Sequence, residues 1–205
     1  MPKDTFNNLC EDKKRKIFYA AVQEFAMRRF SEASINQIVK TAGIPRGSFY
    51  QYFEDKEDIY LYMFSEIGRE KQEIINSVGQ LNPDADFFEA YQHNVRILLE
   101  WSKTKPEYNQ IGLFMEIDDS EFISKLRGIS NQYFSRMSEM IERDKKRGLV
   151  KSDTDSELIA EMIYSINLHF IKDFYRTGSA ENMLKKVNEV MKIIRDGIAI
   201  NNMKA

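Results

Sequence analysis

Residues 41–53 read TAGIPRGSFYQYF, thirteen positions that hold a Gly-Ile-Pro break, an Arg-Gly-Ser and four aromatics. Gly43 offers the permissive backbone that ends one helix, and Pro45 presets the backbone for the first turn of the next. The segment therefore predicts two short helices joined by a turn of about three residues. In the second of them Phe49 and Phe53 lie four residues apart and share one face, directed to a core. Arg46, Gly47, Ser48, Tyr50, Gln51 and Tyr52 are left wholly or partly outside. A helix of about eight residues spans only about 12 Å and is not stable alone, so its neighbours must hold it.

Those neighbours are legible on both sides. Upstream, Ser34 with Gln37 reads as a capping box, and Ile35, Ile38, Val39 and Ala42 repeat at helical spacing. Before that, Ile17, Phe18, Ala21, Val22, Phe25 and Ala26 give residues 11–29 an amphipathic helix. Downstream, Asp55 and Asp58 cap a helix running through Tyr60, Phe64 and Ile67 to about residue 78. Two short helices and a supporting longer one form a helix-turn-helix unit, residues 1–55, followed by a second domain, residues 56–205.

The stretch GQLNPDAD, residues 79–86, reads as a connection, and helical spacing resumes from Phe87 to Trp101. Pro106 interrupts, and one long helix is expected from about Glu121 to Arg147, ended by Gly148. Thr154 with Glu157 reads as a capping box opening a helix that ends at Thr177-Gly178-Ser179. The last helix carries Leu184, Val187, Met191, Ile194 and Ile198, with Val190 and Ile193 beside them. The fold class is all-α, with about nine helices.

The chain has 205 residues, enough for one large or two small domains, with 42% hydrophobic and 30% charged residues and only nine Gly and four Pro. Cys10 has no partner for an internal disulfide, and no basic n-region with an apolar h-region opens the sequence, so a cytoplasmic location is expected. No uncharged apolar run approaches the roughly 20 residues of a membrane span. The net charge of −2 excludes coating of nucleic acid by bulk charge, and residues 1–60 hold ten Lys/Arg against nine Asp/Glu. The KKRK run, residues 13–16, reads first as a solvated face. His93 and His169 lack Cys or paired carboxylates at ligand spacing, and no HExxH, Gly-rich phosphate loop, CxxC or triad is present. No catalytic residue, metal or cofactor is expected, and the chain reads as a non-enzyme.

The outward side chains of residues 46–52 suit a helix lying in a DNA major groove. Arg46 can donate bidentately to guanine or phosphate, Tyr50 can donate its hydroxyl to phosphate, and Gly47 permits close approach. Ser34 and Lys56 stand at helix N-termini, which favour an anion.

The run SINQIVKTAGIPRGSFYQYFEDKEDIY, residues 34–60, resembles the DNA-binding signature of the TetR/AcrR family of bacterial transcriptional regulators. Ser34, Ala42-Gly43, Arg46-Gly47, Tyr50 to Phe53 and Lys56-Glu57 carry the match, which covers roughly residues 11–65. Pro45 departs from it, since many members have Ser there, and this removes a hydroxyl and an N–H. The resemblance implies phosphate contacts from Ser34, Tyr50 and Lys56 and groove contacts from Arg46, Gly47, Ser48, Gln51 and Tyr52. It also implies a homodimer built by the last two helices, reading a pseudo-palindrome, for which Ile163, Phe170, Phe174, Val187, Met191 and Ile194 are the candidate interface residues. The apolar character of the last helix on more than one side agrees.

In such a regulator the middle helices also enclose a small-molecule cavity with apolar walls. Phe88, Tyr91, Trp101 and Tyr108 are candidate lining residues, with Phe114, Tyr133, Met137 and His169, although ordinary core packing accounts for most of these aromatics. The expected function is a ligand-released repressor of operator DNA whose effector is small and hydrophobic or amphipathic. Alternatives are the same fold without a ligand, acting in chromosome organisation or under a protein partner, and a small helical enzyme or carrier.

Overall fold

The computed structural model describes residues 2–78, 82, 84–128, 131–177 and 179–199, with the side chains of 131–134 and 175–177 outside that description. The described residues form eleven helices: α1 (Asp4–Asn7), α2 (Glu11–Met27), α3 (Ile35–Ala42), α4 (Arg46–Tyr52), α5 (Lys56–Ser77), α6 (Phe87–Lys103), α7 (Pro106–Ile117), α8 (Glu121–Gly128), α9 (Asn131–Lys146), α10 (Ser156–Thr177) and α11 (Ala180–Ile198). They include no strand, only an isolated bridge between Val150 and Ala199. The chain forms two compact units, Met1–Ile74 with Ser102–Arg127, and Ile75–Trp101 with Gly128–Ala205.

In the first unit the helix-turn-helix forms as its local chemistry dictates. Gly43 ends α3 in the left-handed region at φ 66° and ψ 34°, where any residue with a Cβ is strained. Pro45 then precedes α4 with φ −62°. Phe49 and Phe53 are fully buried with ring centroids 5.5 Å apart, and Ile17, Phe25, Ile38 and Ile59 of the same unit are fully buried as well. Each such aromatic contributes about 2–3 kcal/mol of burial, so packing holds α4. Its seven residues would not stay helical alone.

At the head of α5 the caps expected from Asp55 and Asp58 are present: Asp55 Oδ1 accepts from the Asp58 N–H at 2.9 Å, and Asp58 Oδ2 accepts from the Glu54 N–H at 3.1 Å. Two other expected caps differ. The Ser34 side chain makes no cap bond to α3; its N–H donates to the buried Glu24 carboxylate at 2.8 Å, which fixes the turn from α2. The opening of α10 is capped by Asp155, whose Oδ1 accepts from the Glu157 and Leu158 N–H groups at 3.1 and 3.0 Å, and not by Thr154.

Two helices were not expected. Helix α1 is too short to show a period, and α7 starts at Pro106, which occupies its first turn without loss because the missing N–H would be unpaired there. The single helix expected over 121–147 is two elements, α8 and α9, one in each compact unit. The connection expected over 79–86 falls mostly outside the described residues.

The second unit packs Phe87, Tyr91, Met137, Ile141, Ile163 and Val187 into one core. Beneath it the fully buried Asp144 of α9 accepts the Phe87 N–H at 2.6 Å, capping α6, and Arg143 and Arg147 bond its other oxygen at 2.9 and 3.1 Å. Both of its oxygens therefore have partners, as a buried polar group requires.

Candidate nucleic-acid interface

The outer face of the helix-turn-helix is built from one side of α3 and the first turns of α4. Asn36, Gln37 and Lys40 are exposed on α3, and Arg46, Gly47, Tyr50 and Gln51 on α4, with Ser48 half-buried. Arg46 donates to the Asn36 amide oxygen and, at 3.3 Å, to the Tyr50 hydroxyl, and its guanidinium stands 5.9 Å from the Tyr50 ring. Tyr50, at 42% exposure, is open to a partner while its cation is held beside it. The arrangement leaves the donors of Arg46, Tyr50 and Gln51 on one exposed face. Asn36, Gln37 and Lys40 are members of this face that the reading of α4 alone left out, although the polar side of the 34–42 periodicity contains them.

Two expected contact residues are placed otherwise. Tyr52 is buried at 6% exposure: α1 folds against the end of α4, setting Phe6 6.1 Å from the Tyr52 ring, with the Lys13 ammonium 5.5 Å from it. It is a packing residue, not part of the outer face. Lys56 is half-buried, and its ammonium donates to the Ala33 carbonyl at 3.0 Å and the Ser31 carbonyl at 3.4 Å, 4.7 Å from the Phe30 ring. Burial lowers its pKa against the pull of Asp118 and Glu24. Lys56 thus braces the loop between α2 and α3, which delivers Ser34.

The same loop is held from a later element. Asp118, buried at the end of α7, accepts the Ser31 N–H at 2.9 Å, the Ser31 hydroxyl at 3.0 Å and the Ser120 N–H at 2.8 Å. Burial alone would push its carboxyl up, but the bonds from Ser31 and Ser120 outweigh this and hold it at about 2. At the other end of the recognition surface, α1 caps α4: the Lys3 ammonium donates to the Tyr50 carbonyl at 3.0 Å, Thr5 Oγ1 donates to the Gln51 carbonyl, and the Lys3 N–H donates to the Tyr52 carbonyl at 2.9 Å. These carbonyls have no partner within so short a helix. Neither device has a local sequence signal, because each joins residues far apart in the chain.

The residues expected to line a ligand pocket are divided between the units. Tyr108 and Phe114 belong to α7 in the first; Tyr108 is buried and its hydroxyl donates to Glu70 at 3.1 Å, and Phe114 is half-buried. In the second, Phe88, Tyr91 and Met137 are core, Trp101 is half-buried and His169 is exposed, so His169 does not serve as a buried pocket wall. The Tyr133 side chain lies outside the described residues. The expected dimer residues need correction in the same unit. Ile163, Phe174, Val187, Met191 and Ile194 are buried within the single chain and Phe170 packs against the same core, since the regular seam of α11 is its inward face. Among the described side chains, the large apolar residues exposed on α10 and α11 are Leu158, Met162 and Ile193 at 51%, 43% and 71%.

Residues 17–63 match the family model of bacterial regulatory proteins, tetR family. That span holds α3, the Gly43 turn, α4 and the Lys56 brace. Over that span the chain carries a tetR-family DNA-binding domain. It is a DNA-binding transcriptional regulator and not an enzyme. It is similar to the HTH-type transcriptional regulator YdgC of Bacillus subtilis, with 24% identity over 82% of this chain and 83% of the relative. It is also similar to the fatty acid metabolism regulator protein of Bacillus subtilis, with 23% identity over 89% of this chain and 94% of that one. Among solved structures, FadR from Bacillus subtilis in complex with stearoyl-CoA shares the fold at a TM-score of 0.71, with 19% identity, covering 90% of this chain and 99% of that chain. Among the described residues no helix of this regulator is long and apolar enough to cross a membrane.

Proposed function

We propose that this regulator is a repressor that binds a pseudo-palindromic operator as a homodimer and leaves it when a small amphipathic effector binds. The observation that carries the DNA reading is the open face on which Asn36, Arg46 and Tyr50 are linked beside exposed Gln51 and Gly47. Arg46 and Gln51 supply base-edge donors, Tyr50 and Ser34 hydroxyls supply phosphate donors, and Ser48 and Gly47 allow α4 to lie close to the groove. Lys56 contributes by bracing the loop that carries Ser34. In place of the buried residues first expected at the interface, the proposed dimer surface is the exposed apolar stripe of Leu158 and Met162 on α10 together with Ile193 on α11, which a second copy would cover.

An effector releases DNA only if it binds the DNA-competent and incompetent states with different affinity. Likeness to a fatty acid metabolism regulator supports an acyl-bearing amphipathic effector. A polar anchor for it is available at His93 of α6, whose buried Nε2 has no hydrogen-bond partner among the described residues.

Fluorescence anisotropy with duplexes tiling the DNA beside the gene, at two salt concentrations, tests the reading with wild type and Tyr50→Ala. Tight, salt-dependent binding to one near-palindromic duplex, weakened by about 1 kcal/mol or more in the variant, is expected. Stearoyl-CoA added to that complex is then expected to release it. Uniform binding to all duplexes by both proteins would refute the recognition surface; a complex indifferent to the acyl thioester would refute the acyl effector alone.

A further inference from the structure

The first unit contains a cleft of about 430 Å³ that shares only Tyr108 with the candidate effector-pocket residues and none with the candidate DNA contacts. Its floor and walls come from α1, α2, α5 and α7. Five rings line it: Phe6, Phe18, Tyr19, Tyr62 and Tyr108. Its volume lies in the range of small-molecule sites, roughly 300–1,000 Å³, and its aromatic surface suits a planar ring.

The polar groups decide which charge such a ring would carry. Three carboxylates line the cleft, and each already has a cation. Glu11 bonds Lys14 at 2.9 Å, Glu66 bonds Arg69 at 2.8 Å, and Glu70 pairs with Lys105 at 2.7 Å while accepting the Tyr108 hydroxyl at 3.1 Å. The donors are different. Arg15, Tyr19 and Tyr62 line the cleft, and the guanidinium and the two hydroxyls make no hydrogen bond or ion pair with any described residue. Arg15 acts on Glu11 only through space, behind Lys14, in lowering that carboxyl's pKa. Burial pushes the Tyr62 phenol up to about 12, so it stays protonated and can only donate to a charged acceptor at neutral pH. The cleft therefore has its carboxylates paired and three of its donors, those of Arg15, Tyr19 and Tyr62, unused.

We infer that this cleft is a binding site for a small aromatic oxyanion, a carboxylate or phosphate carried on one ring, held by Arg15 with the Tyr19 and Tyr62 hydroxyls and stacked among the aromatic walls. A planar anion uses the guanidinium bidentately, and the ring replaces water on Phe18 and Tyr62. A cation gains nothing comparable, since each carboxylate would first have to be stripped of its partner. The site is distinct from the effector reading, whose polar anchor His93 lies in the other unit. It also touches α1, because Phe6 and Asn7 form one of its walls.

Chemical-shift mapping on the full chain tests this with four probes of one size: benzoate, phenyl phosphate, neutral benzamide and cationic benzamidine. Benzoate or phenyl phosphate is expected to bind saturably, with shifts centred on Arg15, Tyr19 and Tyr62, and the tighter of the two identifies the anion class. Arg15→Gln, at an exposed position that leaves the core intact, is expected to weaken that binding by about tenfold or more. Tyr62→Phe is expected to weaken it less while keeping the ring wall. Benzamidine binding as tightly as benzoate, shifts centred on α6 and α9, equal binding by Arg15→Gln, or no saturable binding by either anion would each overturn the inference.

Discussion

Asp118 and Arg46 represent the two kinds of residue that this recognition surface needs. Asp118 touches no partner; it fixes Ser31, and through that loop the position of Ser34. Its carboxyl is held down to about 2 in the folded protein, against about 3.9 for a free aspartate. The stabilisation is therefore complete above the unfolded value and disappears as pH falls toward about 2. Asp118→Asn is expected to lower stability at neutral pH by about 1.5–3 kcal/mol, and urea midpoints of variant and wild type should converge on acidification from pH 4 to pH 2. A constant difference across that range would mean that charge is not what Asp118 supplies. Arg46 is exposed, so its substitution leaves folding untouched. Arg46→Gln should cost about 1–3 kcal/mol of operator affinity with relaxed preference at one base pair if it reads guanine. A uniform loss across duplexes, with a salt slope shallower by about one unit, would place it on phosphate instead.

At the scale of the element, α4 is too short to keep its own carbonyls paired, and α1 provides what it lacks. Phe6 anchors that clasp at 2% exposure, 4.9 Å from Phe53 and 4.8 Å from Tyr62. Phe6→Ala should destabilise the protein by about 3–5 kcal/mol. Thr5→Val keeps the shape but removes the donor to Gln51, and should weaken operator binding severalfold while moving the thermal midpoint little. Equal operator affinity in Thr5→Val, measured by anisotropy, would show that the clasp matters for folding only. The reach of the sequence follows from the same contrast. Gly43, Pro45, the Phe49–Phe53 pair and the Asp55 cap are legible because each acts within a few residues, and they are enough for the helix-turn-helix and the α4 part of its outer face apart from Tyr52. The packing of Tyr52 and the hydrogen bonds of Lys56 have no local sequence signal because their partners are remote: Phe6 covers the tyrosine, and the Ala33 and Ser31 carbonyls accept hydrogen bonds from the lysine ammonium. The spacing in α11 was read correctly as a seam, but periodicity does not say whether a seam faces its own chain or another.

For the whole molecule, that ambiguity becomes a question of assembly. The inward seam of α11 is occupied by the chain's own core, so the proposed dimer is expected to use large apolar side chains exposed among the described residues: Leu158 and Met162, one turn apart on α10, and Ile193 on α11. These three large apolar side chains gain from burial by a second copy, roughly 1–2 kcal/mol each at their observed exposure. A carboxylate there meets its symmetry mate in a two-fold interface and leaves the protomer unharmed. Met162→Glu and Ile193→Glu are therefore expected to shift sedimentation from dimer to monomer while circular dichroism stays unchanged. A monomer presents one recognition helix in place of two, so operator affinity should fall by orders of magnitude on a two-half-site duplex and hardly at all on a single half-site. If both variants sediment as dimers, the interface lies elsewhere; if they are monomers that still bind the full operator as wild type does, the two half-sites are not read together.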